Sequence, residues 1–161
     1  MNKERLLKLA NHLLHGKLGH KNFDFRHYNI GHSEESLCGT NGCGIGECPV
    51  IFDEWEFRPL YNSVYPLLKD RKGIESTHLC SMKFFDLTDK ETEILFIPAM
   101  DSEKGSEFRY DGGDELSEEE VIEEVFIIIG DQVLHGLPYS ATKEQVANQI
   151  IEFVRLKEKI S

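Results

Sequence analysis

No apolar run in this sequence is long enough to cross a bilayer; the longest, residues 125–129, suits a protein core. Clustered lysine and arginine are also missing. The 18 basic side chains are outnumbered by 29 acidic ones, for a formal charge of −11. Direct binding to nucleic acid or to an anionic membrane needs such clusters, so neither is expected as a partner. A signal-peptide pattern is absent as well: Met1-Asn2-Lys3-Glu4-Arg5 carries an acid and leads into an amphipathic stripe. A cytoplasmic protein is the expectation. In that compartment its four cysteines are thiols and not a disulfide framework.

What is present describes a globular chain. Hydrophobic residues make up 40 % and charged residues 29 % of 161, enough for one domain with a real core. Acidic side chains crowd residues 103–124, where Asp111, Asp114, Glu115, Glu118, Glu119, Glu120, Glu123 and Glu124 fall together. Such a run is either a solvated face or a surface that docks a basic partner. Asp111-Gly112-Gly113-Asp114 lacks the terminal glutamate of a calcium loop and reads as a turn.

The stretch Cys38-Gly39-Thr40-Asn41-Gly42-Cys43-Gly44-Ile45-Gly46-Glu47-Cys48-Pro49 holds three of the four cysteines. Thr40 can cap a short helix, which would put Cys43 near its free N–H groups and favour the thiolate. As a nucleophile, Cys43 would take His78 or His135 as base and Asp131 as orienter. No cysteine-hydrolase signature surrounds it. A zinc site would need Cys38, Cys43 and Cys48 to converge with His32 or Cys80, and the five-residue spacing departs from the usual C-x-x-C knuckle. No cofactor is predicted. The preferred expectation is packing, with small residues letting backbones approach closely and cysteine acting as a compact hydrophobe.

Cys38-Gly39-Thr40-x-x-Cys43-x-x-Gly46 resembles the C-G-T-x-x-C-x-x-G signature of a group of small, uncharacterised bacterial and phage proteins. Phe23-Asp24-Phe25 before it, Asp53-Glu54-Trp55 after it, Phe84-Phe85-Asp86-Leu87-Thr88 and Ala141-Thr142-x-Glu144-Gln145-Val146-Ala147 are similar to segments that accompany the signature in that order. Gly44 in place of a more usual alanine, the extra Cys48 and the acidic insertion after Met100 depart from it. The resemblance implies a compact helical fold and implies no activity.

Along the chain, Leu6, Leu7, Ala10, Leu13 and Leu14 form one stripe of a first helix capped by Asn2, with His12 and His15 on the opposite, solvent side. Five histidines between His12 and His32 follow no ligand template. Ser33-Glu34-Glu35 resembles a helix start and residues 61–68 a short helix, and Ser76 or Thr77 opens a stretch through Phe85 that contains His78. Trp55, the one tryptophan, reads as packing or a lid. Thr88 with Glu91, Ser117 with Glu120, and Thr142 with Gln145 are capping boxes heading three helices. The second would run to Leu134, with Asp131 and His135 as a surface pair, although residues 125–129 also suit a strand. In the last, Val146, Ile150, Phe153, Val154 and Ile160 would face the core.

The expected fold is therefore mostly α: one compact domain of about five or six helices, with little or no sheet and a mobile acidic loop at residues 101–116. The expected function is non-enzymatic binding of another protein through an acidic surface, in a phage- or mobile-element-associated setting. A small enzyme centred on Cys43 and a metal-binding protein using residues 38–48 are the alternatives.

Overall fold

The computed structural model describes residues 1–25, 41–60, 63–70, 76–98, 126–138 and 140–160. Among them are five α-helices and three two-stranded ladders. In chain order these are α1 (Lys3–His15), β1 (Asn22–Phe23), β2 (Asn41–Gly42), a 3-10 turn (Ile45–Glu47), α2 (Cys48–Ile51), β3 (Trp55–Leu60), β4 (Ser63–Leu68), α3 (Thr77–Phe85), α4 (Asp89–Phe96), β5 (Phe126–Ile129), β6 (Gln132–His135) and α5 (Lys143–Lys159). The fold is mixed α/β, which corrects the expectation of a mostly α protein with little sheet. No described helix is long and apolar enough to cross a membrane.

Capping explains where the helices begin. Asn2 accepts from the Arg5 amide, and Thr88 with Glu91 and Thr142 with Gln145 each form both bonds of a capping box. Leu6, Leu9, Ala10 and Leu13 of α1 are buried, as are Val146, Ala147, Ile150, Phe153, Val154 and Leu156 of α5, and the two helices pack together. Ile160, expected in the core, is exposed. The second capping box and the loop at 101–116 lie outside the described residues.

Residues 63–68 form a strand where a helix was expected over 61–68; residues 61 and 62 lie outside the described residues. The strand belongs to the β3–β4 hairpin, in which Phe57 faces Pro66 and Pro59 faces Val64. Antiparallel pairs alternate between hydrogen-bonded and open, and the Lys69 amide donating to the Glu54 carbonyl at 2.9 Å sets the phase. Both prolines then fall on open pairs, where the missing N–H would point away from the partner strand. The outward groups of β4 are taken up by α3: Thr77 Oγ1 donates to the Pro66 carbonyl at 3.1 Å, and the Leu68 amide donates to Cys80 Sγ at 3.5 Å. Trp55 and Phe52 pack edge-on against Phe84 beneath this hairpin.

Residues 126–135 are likewise a hairpin, not the end of a helix, and the strand alternative for residues 125–129 holds in coarse form. Gly130, at φ +65°, and Asp131 make its two-residue turn. Glycine first in such a turn has the mirror-image geometry that matches strand twist, which a helix cannot accommodate. Gln149 of α5 donates from Nε2 to the carbonyls of both Ile94 (2.9 Å) and His135 (3.0 Å), tying the hairpin to α4 and α5.

Candidate functional site

The glycine–thiol segment enters the structure at β2, which pairs in parallel with β1 through Asn22–Asn41 and Phe23–Gly42. This register sets the 3-10 turn beside the loop that follows α1. Thr40 and Cys38 lie outside the described residues, and the helical turn begins only at Ile45, so Cys43 precedes it instead of occupying its third position.

The polar centre here is Glu47, whose side chain is fully buried. Its carboxylate accepts four hydrogen bonds: from the amides of Gly19 (2.8 Å) and His20 (3.1 Å), His12 Nε2 (2.9 Å) and His20 Nδ1 (2.5 Å). Burial by itself would raise its pKa. The bonds from His12, His20 and the two amides outweigh burial and hold Glu47 at about 2. An ionised carboxylate only accepts, so the ring nitrogens that face it carry hydrogens. His12 is therefore not a solvent-face histidine: it reaches back from α1 to a buried charge. His20 Nε2 is buried without a hydrogen-bond partner among the described residues, with the ring edge-on to Phe57.

A Cβ on Gly19 would lie 2.4 Å from Val50 Cγ2, so a side chain there would force Val50 of α2 to move. Gly44 differs. Its backbone is helical (φ −54°, ψ −41°), and a Cβ there would meet Leu13 and Val146 at 3.5 and 3.7 Å, ordinary contact distances.

Cys43, Cys48 and Cys80 are buried free thiols. Burial pushes Cys43 up to about 11 despite the amides of Gly46 and Ile45, and pushes Cys48 well above its ordinary value. His78 on α3 is bonded to Asp89 at 2.7 Å, and the His135 ring lies beside Phe126. Asp131 is exposed in the β5–β6 turn. His32, like Cys38, lies outside the described residues, among which no three Cys, His, Asp or Glu side chains are placed to hold a metal ion.

A second feature lies on the outer face of the β5–β6 hairpin. Ile128 pairs across the strands with Val133, and Phe126 with His135, all on one side. Ile128 is 67 %, Val133 50 % and Phe126 42 % exposed. Glu47 and the hairpin face are the residues that sequence alone does not single out, and His12 reads there as a solvent-side residue. The available signals were slight: Glu47 is the one charge between Glu35 and Asp53, and Gly130-Asp131 is a hairpin dipeptide.

Neither a protein-family model, nor a curated protein, nor a solved structure matches this chain.

Proposed function

We propose that the chain is a cytoplasmic, non-enzymatic binding protein that docks a protein partner on the outer face of the β5–β6 hairpin. The directly paired and exposed Ile128 and Val133, continued by Phe126, carry the proposal. Single exposed apolar side chains are ordinary, whereas a contiguous set on one sheet face is the mark of an interaction surface. The charge of −11 favours a partner of opposite sign and opposes self-association. A phage- or mobile-element-borne setting, which the resemblance implies, is part of the same proposal.

The thiol chemistry weighs against the enzyme alternative. A nucleophile acts as thiolate, and the burial that raises Cys43 disfavours that form.

Chemical cross-linking in the native host, with mass-spectrometric mapping, tests the docking face. A basic protein cross-linked to residues of β5 or β6 in the wild type, and lost in the Ile128→Asp/Val133→Asp double variant, is the expected result. Cross-links that map elsewhere, or that survive the double substitution, overturn it.

A further inference from the structure

Resting on that docking face, we propose that the partner supplies an extended strand, added to the edge of β5 that no described strand pairs. Its chemistry is a run of alternating β-branched residues flanked by lysine or arginine. The phase of the β5–β6 ladder is fixed twice over. A two-residue turn closes on a hydrogen-bonded pair, here Ile129 with Gln132, so Ile127 with Leu134 is the next bonded pair. Ile128–Val133 and Phe126–His135 are then open pairs, with N–H and C=O directed outward. The His135 carbonyl, caught by Gln149 from outside the hairpin, confirms that phase.

The two edges differ at one group, the His135 carbonyl. On β6 the outward carbonyl of His135 is held by α5. On β5 the outward N–H and C=O of Ile128 have no hydrogen-bond partner among the described residues. An edge of Phe126-Ile127-Ile128-Ile129 is β-prone, uncharged and without proline, the features that make an edge a template for another strand. An added strand would satisfy the outward groups with its own backbone and lay alternate side chains beside Phe126 and Ile128. The negative protein charge, with Asp131 exposed at the turn, selects a cationic strand over a second copy of this chain.

The probe is a fluorescent synthetic peptide of alternating valine and threonine flanked by lysines, titrated into the full chain and read by anisotropy. Backbone N-methylation on alternate residues is expected to weaken binding at least about tenfold in one register and little in the other. Ile128→Pro removes the outward N–H while sparing the ladder bonds of Ile127 and Ile129, and is expected to weaken binding by a similar factor. In the free protein the Ile128 amide should exchange with solvent rapidly, and become protected when the peptide binds. Slow exchange without peptide means that the edge is already filled, by this chain or by a copy of it, and overturns the proposal. So does equal binding by both N-methylated registers, a readout that stands even if Ile128→Pro does not fold. If cross-linking to the hairpin is lost in Ile128→Asp/Val133→Asp while N-methylation has no effect, the docking face survives and strand addition fails.

Discussion

His12 and Glu47, 35 positions apart, meet with Nε2 2.9 Å from Oε2, so that the first helix is latched to the glycine–thiol segment by a carboxylate buried from water. The same carboxylate holds the Gly19–His20 backbone, and one side chain thus joins α1, the loop after it and the 3-10 turn.

Removing that side chain leaves two amides and two imidazole nitrogens buried without their acceptor. Glu47→Ala is expected to destabilise the fold by about 3–5 kcal/mol, since each donor left unsatisfied away from water costs about 1–3 kcal/mol. Glu47→Gln keeps the shape but offers one acceptor oxygen instead of two, and should cost less. Urea unfolding of the three proteins measures both, and a loss below about 1 kcal/mol for Glu47→Ala would remove the latch from the account.

The latch also fixes a pH dependence. The folded pKa of Glu47, about 2, lies below the ordinary 4.5, so the folded state favours the ionised form. Its stabilisation is fully present above about 4.5 and fades as the pH falls from there towards 2. The stability gap between wild type and Glu47→Gln should therefore be constant near neutrality and shrink across that window. A gap that widens on acidification would contradict the sign.

Two glycines should respond in opposite directions. Gly44→Ala places a methyl at ordinary distance from Leu13 and Val146 on a helical backbone, and should stabilise by about 0.4–1 kcal/mol, in part through the unfolded chain. Gly19→Ala drives a methyl into Val50 beside the amide that serves Glu47, and should destabilise. Thermal melts of the two variants decide the matter. A loss of stability in Gly44→Ala would mean that close approach, and not mere tolerance, is what glycine supplies there.

The buried thiols should resist labelling. Site-resolved alkylation at neutral pH is expected to leave Cys43, Cys48 and Cys80 unmodified in the native protein and to modify all three once it unfolds. Rapid native alkylation of Cys43 would restore the enzyme alternative.

Much of the helical framework was legible because its signals are local. Asn2, Thr88–Glu91 and Thr142–Gln145 are caps written within four residues, and the apolar stripes of α1 and α5 follow the first and the last. The hairpins were not legible for an equally physical reason. Pro59 and Pro66 look like breaks until the phase of their ladder is known, and only pairing across the turn reveals that neither costs a bond. Ile127 and Ile129 extend an apolar stripe as well on a helix as on a strand, so Gly130-Asp131 alone could have decided between them. Glu47 was hidden by context: in a strongly acidic sequence one more glutamate reads as surface, and its burial depends on histidines that come from a different element.

Trp55 gives the molecule an optical gauge. The lone indole is buried, edge-on to Phe84 with 5.5 Å between ring centroids, and its N–H meets no acceptor among the described residues. Its fluorescence should emit at short wavelength and shift to the red when β3 leaves the core. The chain therefore reports its own unfolding without an added dye, and every substitution outside that aromatic cluster can be followed by the same native signal.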